Sequence, residues 1–113
     1  MIKIAAEETR SNICGGLGEV LFTHVLDTEE MRGKGKHVDI LDFLPHSSIG
    51  YHVHIGEVEH FFVLEGEGIM IDNDKVEHSI KKGEIVMMNP DEGHGIINDT
   101  NMHLKLLAIT LFE

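Results

Sequence analysis

The sequence predicts an all-β domain, a jelly roll or small barrel, and three observations lead there. From about Glu19 onward the chain breaks into short runs rich in Val, Ile, Leu, Phe and Met. Gly residues or Asn and Asp clusters punctuate those runs, the pattern of an antiparallel domain. No stretch carries the 3.6-residue apolar period of an amphipathic helix. Eight or nine short strands in this length fill a closed or two-layered β architecture.

Taken in order, residues 1–18 come first as an arm or edge strand. Glu7, Glu8, Arg10 and Ser11 precede Gly15-Gly16-Leu17-Gly18 without clear periodicity. That glycine stretch reads as a turn, because its spacing is not a dinucleotide fingerprint and no βαβ unit comes after it. Residues 19–113 form a single barrel domain. Strands are expected over Val20 to Val25, His37 to Phe43, Gly50 to His54, Glu59 to Leu64 and Gly68 to Ile71. Further strands are expected over Val76 to Ile80, Ile85 to Met88, Gly95 to Asn98 and Met102 to Phe112. The clearest connection is Asp72-Asn73-Asp74-Lys75, an Asx-rich hairpin turn. Gly33 to Gly35, Pro45 to Ser48, Lys81 to Gly83 and Asn89 to Gly93 are the other breaks. The run Leu104 to Phe112 is apolar on both alternating faces, as suits a strand covered by the core on one side and by a second subunit on the other.

Charge narrows the partners. A formal charge of −11, from twenty acidic residues against nine Lys and Arg, repels both a phosphate backbone and an anionic lipid surface. Nucleic acid and membrane are excluded on that ground. MIKIAAEETR lacks the apolar core of a secretory signal, and no run approaches the roughly 20 apolar residues of a membrane span. The expectation is a soluble, unprocessed chain. Cys14, the lone cysteine, has no internal disulfide partner; it reads as a buried or idle thiol in a cytoplasmic, reducing setting.

Nine histidines in 113 residues are the unusual feature, since His is the commonest ligand for borderline metals and the commonest acid or base near neutral pH. In Tyr51-His52-Val53-His54 one residue separates two imidazoles, so strand alternation puts both on one face. After the turn Ile55 to Val58, a hairpin would return Glu59 beside them, with Glu57 as the alternative carboxylate. His94 lies in a Gly-flanked bend, where a side chain can be aimed inward.

His52 to Gly66, HVHIGEVEHFFVLEG, resembles the first motif of the cupin superfamily, H-x-H-x(3,4)-E-x6-G. Gly83 to Asn98, GEIVMMNPDEGHGIIN, resembles the second motif, G-x5-P-x-G-x2-H-x3-N, with Gly83, His94 and Asn98 in register. Sixteen residues lie between the two, as in small single-domain cupins. The pattern is broken at His46, where the family has a glycine, at Asn89 in place of the proline, and at Asp91 in place of the middle glycine. The resemblance implies a cupin double-stranded β-helix, a jelly-roll barrel. It also implies one divalent transition metal, Mn, Fe, Zn, Ni, Co or Cu, on His52, His54, Glu59 and His94, and a homodimer. It does not choose a reaction, because one fold hosts many chemistries.

Around that cluster, Phe61 and Val63 share the inward face of Glu59 and are expected to line a pocket with Met70, Met87 and Ile96. Ordinary core packing is an equal reading for each. His60 points to the opposite face. His24, His37, His78 and His103 read as structural, and His46 could approach the barrel mouth. No Lys or Arg occurs in Gly50 to Asp74 or Gly83 to Asn98, so a recognition cation must come from Arg10, Arg32, Lys36 or Lys105. The function expected is a metal-dependent enzyme acting on a small neutral or singly charged organic molecule, of dioxygenase, isomerase, lyase or decarboxylase type. A non-catalytic binding or sensing cupin and a barrel with a purely structural metal are the alternatives.

Overall fold

A computed structural model describes all 113 residues. Ten strands alternate with turns: β1 (Ala6–Ser11), β2 (Glu19–Leu26), β3 (His37–Phe43), β4 (Ser48–Val53), β5 (Glu57–Glu65), β6 (Glu67–Ile71), β7 (Glu77–Lys81), β8 (Ile85–Val86), β9 (Gly93–Ile97) and β10 (Leu104–Phe112). They form a six-stranded sheet in the order β1-β2-β3-β10-β5-β8 and a four-stranded sheet in the order β4-β9-β6-β7. Every pairing is antiparallel. This is the expected jelly-roll barrel, the double-stranded β-helix.

Alternation along each strand supplies the core. Val20 and Phe22 of β2, Leu41 and Phe43 of β3, Phe61 and Val63 of β5, and Leu104, Leu106 and Ala108 of β10 face inward and are buried. Ile80 and Ile96 meet them from the other sheet. Burial of such side chains stabilises the fold by about 1.5–3 kcal/mol each for the larger ones. Residues 1–18 include β1, an edge strand that pairs with β2 from Ala6↔His24 to Ser11↔Glu19. The glycines after it serve close approach as well as turning. A Cβ on Gly16 would lie 2.2 Å from the Ser48 carbonyl oxygen, and one on Gly50 would lie 2.0 Å from that of Cys14. The turn at Ile13–Gly15 therefore lies directly on β4. Asn98 secures the opposite end. Fully buried, it donates to the carbonyls of Phe43, Leu44 and Met102 and accepts from the Thr100 N–H.

Three expectations need correction. His54 lies just beyond the end of β4, not inside it. Glu59 does not return beside the histidines in a hairpin: β5 starts at Glu57 in the six-stranded sheet, while β4 belongs to the other. Residues 54–56 cross between the sheets, so Glu59 meets the histidines across the barrel interior. β8 is two residues long, not four.

Candidate metal centre

A register shift explains how β4 delivers His52. Ile49 pairs with Ile96 and His52 with His94, so three steps on β4 match two on β9. The extra residue, a β-bulge at Gly50 and Tyr51, reverses the alternation. Ile49 and His52 consequently both face inward, as do Ile96 and His94 on the regular strand opposite. His94 lies within β9 rather than in the bend expected of it, and it is held by its neighbours: the Gly93 N–H donates to Asn73 Oδ1 at 2.9 Å, tying the start of β9 to the β6–β7 hairpin. A Cβ on Gly93 would lie 2.2 Å from the Tyr51 hydroxyl, so the residue before His94 must be small.

His52, His54, Glu59 and His94 converge, one ligand atom from each lying within 4.8 Å of all the others. The Nε2 atoms of His52 and His54 are 3.0 Å apart. Glu59 Oε1 is 3.3 Å from His54 Nε2 and 3.4 Å from His94 Nε2. The outward-facing nitrogens select the tautomer. His52 Nδ1 donates to the Gly50 carbonyl at 2.8 Å, and His54 Nδ1 donates to Glu57 Oε1 at 2.7 Å. In its neutral form each ring thus turns its Nε2 lone pair inward, as metal-ligating imidazoles do. Glu57 is therefore the partner of His54, not an alternative to Glu59, and it is itself paired with Lys36. Thr110 Oγ1 donates to Glu59 Oε2 at 3.2 Å.

Electrostatics agree with a cation-binding set. Burial pushes the Glu59 carboxyl up, but the His54 and His94 imidazoles beside it outweigh burial and bring it down to about 2. Burial lowers His52 and keeps it neutral, the form a metal needs. His54 is raised, by Glu59 first and Glu57 with it. Burial would raise Glu57, but Lys36 and His54 hold it down. His94 is only 2% exposed, and neither ring nitrogen has a hydrogen-bond partner in the protein. An unpaired buried polar group costs about 1–3 kcal/mol. A divalent ion among these donors removes that cost at Nε2, so the residues fit the group.

The four donors open on a cavity of about 400 Å³. Of the expected pocket residues, Phe61 and Ile96 line it, and the Phe61 ring meets His94 edge-on at 5.4 Å. Val63, Met70 and Met87 do not. Val63 is fully buried one step deeper along β5, and Met70 packs against the core. Met87 is 76% exposed, whereas Val86 and Met88 are buried, so the inward parity after β8 is offset by one residue from the expected one. Cys14 is exposed at the cavity rim rather than buried. His46 bonds Asn101, His78 bonds Asp72 and His103 bonds Asp42, away from the cavity.

Sequence reasoning missed His24, His37 and Asp39, which line the wall formed by β2 and β3. Their signal was present in His37-Val38-Asp39, whose alternation puts both polar groups on one face. Arg10 reaches the same cavity from β1, its guanidinium 4.3 Å from the Phe22 ring centroid and bonded to Glu8.

Residues 39–110 match the family described as Cupin domain. The Oxalate-binding protein of Thermotoga maritima is 38% identical over 104 residues, covering 92% of this chain and 85% of that protein. A crystal structure described as a predicted oxalate decarboxylase from Thermotoga maritima superposes with a TM-score of 0.92 at 36% identity, covering 96% of this chain and 94% of the other. The Schizosaccharomyces pombe Cnp3 cupin domain superposes at 0.75 with 10% identity, over 94% and 69% of the two chains, a likeness of fold alone.

Proposed function

This chain belongs to the cupin domain family, and on that premise we propose that it binds a small carboxylate, oxalate foremost, at a divalent transition metal held by His52, His54, Glu59 and His94. One observation carries the reading: three imidazole nitrogens and one carboxylate converge at the edge of an open cavity instead of being sealed by the core. When bound, the ion supplies Lewis acidity and coordination positions for the ligand's oxygens. Three neutral imidazoles and one carboxylate around a divalent ion leave a net charge of +1, which draws an anion into a chain that is otherwise strongly acidic. Oxalate carries two charges at neutral pH, so this choice departs from the neutral or singly charged molecule expected from the sequence; the residual positive charge of the site and the Oxalate-binding protein of Thermotoga maritima support it.

The chain's own residues supply the orientation. Gly50 and Glu57 fix the rings of His52 and His54, Thr110 fixes Glu59, and Phe61 and Ile96 exclude water from one side. Turnover by decarboxylation is a second reading, favoured by the crystal-structure relative described as a predicted oxalate decarboxylase. The test is elemental analysis of native protein and the His52→Ala/His54→Ala double variant, with oxalate calorimetry on both. Near-stoichiometric metal and a binding isotherm, both lost in the variant, are expected; metal-free native protein overturns the reading. Formate accumulating in the same incubation decides for turnover. We also infer a homodimer through the outer face of β10, where Leu107, Ile109 and Leu111 are only half-buried in the single chain. A monomer by light scattering refutes it. The cytoplasmic setting belongs to the same proposal; no helix is long and apolar enough to cross a membrane.

A further inference from the structure

We propose that His37 is a second ligand-contacting residue of this cavity, hydrogen-bonding the oxygens of a small dicarboxylate that point away from the His52, His54, Glu59 and His94 cluster; the inference rests on the carboxylate-binding reading above. Strand register supplies the geometry. Thr110 of β10 pairs with Glu59 of β5 on one side and with His37 of β3 on the other. Glu59, Thr110 and His37 therefore form one inward-facing row at the same level of the barrel. Two strand spacings, about 10 Å, separate the backbones of Glu59 and His37. Both side chains line the same cavity, so a ligand seated at the metal-type donors has His37 on the wall across from Glu59. The small residues Thr110 and Ala108 keep the floor of that gap clear, because Ala108 occupies the next row, between Phe61 and Asp39.

His37 is also the one ring outside the metal-type cluster with a buried nitrogen that lacks a hydrogen-bond partner. Its Nδ1 sits 2.9 Å from Asp39 Oδ2, close enough for an ion pair but out of line for a hydrogen bond. Asp39 thus takes up the buried Nδ1 side of the ring, and Nε2, which bonds no protein group, is the nitrogen left for a ligand in the cavity. Asp39 is itself buried and fixed, since His24 Nδ1 donates to its Oδ1 at 2.8 Å, and Glu8 on β1 takes the other nitrogen of His24 at 2.8 Å. This chain of carboxylates and imidazoles runs through three strands and ends at the wall of the cavity that the metal-type donors also line.

A ligand with a carboxylate at each end is the class this arrangement recognises. A monocarboxylate held at the metal has no second carboxylate to reach His37. The experiment is calorimetry of oxalate and of acetate on Co(II)-loaded native, His37→Leu and His37→Gln proteins, with the visible bands of the ion reporting that it stays in place. His37→Leu should weaken oxalate roughly ten- to a hundredfold, the range for a hydrogen bond to a charged group, and leave acetate within about twofold. His37→Gln, which keeps an N–H donor, should recover part of the loss. Oxalate binding that is unchanged in His37→Leu overturns this inference alone. Failure of the native Co(II) protein to bind either carboxylate overturns it together with the functional reading. His37 is more than a third exposed at its side chain, so neither substitution strips the core.

Discussion

Glu57→Gln tests whether the second layer of the candidate centre holds the first. Glu57 is a nearly buried carboxylate that accepts from His54 Nδ1 at 2.7 Å and pairs with Lys36 through its other oxygen. Glutamine keeps the shape but removes the charge, and its amide nitrogen cannot accept from Lys36. A hydrogen bond to a charged group contributes about 1.5–3 kcal/mol and a neutral one about 0.5–1.5 kcal/mol. The difference, about 1–1.5 kcal/mol, falls on the ring whose Nε2 faces the other donors. Metal dissociation constants should therefore rise roughly tenfold, at the lower end of the range for outer-shell partners. Competition with a chromophoric chelator measures this, with Lys36→Met as the control. That variant breaks the same ion pair but leaves the Glu57 charge on His54, so its metal affinity should hold. Glu57→Gln within twofold of native, or Lys36→Met falling by the same factor, would refute the claim that Glu57 orients His54.

Glu59 predicts an acid limb in the metal-free protein. Its folded value of about 2 lies below the ordinary 4.5, so its contribution is complete above pH 4.5 and is lost as pH falls toward 2. That loss amounts to about 3 kcal/mol, and denaturant titrations of Glu59→Gln should show the limb flattened. His54 has the opposite sign: its raised value stabilises the metal-free fold below pH 6.5 and the effect fades as pH rises through it. Because a metal needs that ring neutral, metal affinity should climb over the same interval, as measured by chelator competition at stepped pH. Gly50→Ala drives a Cβ to 2.0 Å from the Cys14 carbonyl and should cost about 1–3 kcal/mol, several degrees in Tm. An unchanged Tm would mean that the Ile13–Gly15 turn can lift off β4.

The sequence made β3 legible to the residue, His37–Phe43, because its turns and alternation agree. The Asp72 turn was equally plain: the Asp72 carboxylate accepts from the Asp74 and Val76 N–H groups, chemistry that belongs to the Asx residue itself. Strand alternation failed where a bulge intervened. On β4 the inward face passes from Ile49 to His52, so period-two counting from either end reaches the wrong parity at the other. It failed at Met87 for a related reason, since a two-residue strand sets no parity for the residues beyond its end. Which sheet a strand joins is also absent from local pattern, and that hid the crossing between β4 and β5.

The row Glu59, Thr110, His37 shows why the missed half of the cavity lay beyond sequence spacing. His37 and Glu59 are joined only through a strand that arrives some fifty residues after Glu59, and Thr110 carries no metal-type or catalytic signature to mark the join. The motif residues were recognisable because the first cupin motif keeps His52, His54 and Glu59 close along the chain and the second places His94 at a fixed position between Gly83 and Asn98. The opposite wall is assembled from β1, β2 and β3 through pairings that sequence alone does not fix. The arm at residues 1–18 is therefore part of the site: it contributes Glu8 to His24, brings Arg10 to the cavity, and lays Cys14 at its rim. Metal-type donors come from the recognisable motifs, whereas the groups that can distinguish one carboxylate from another come from the strands outside them. That division accounts for how the metal set was legible while the ligand was not.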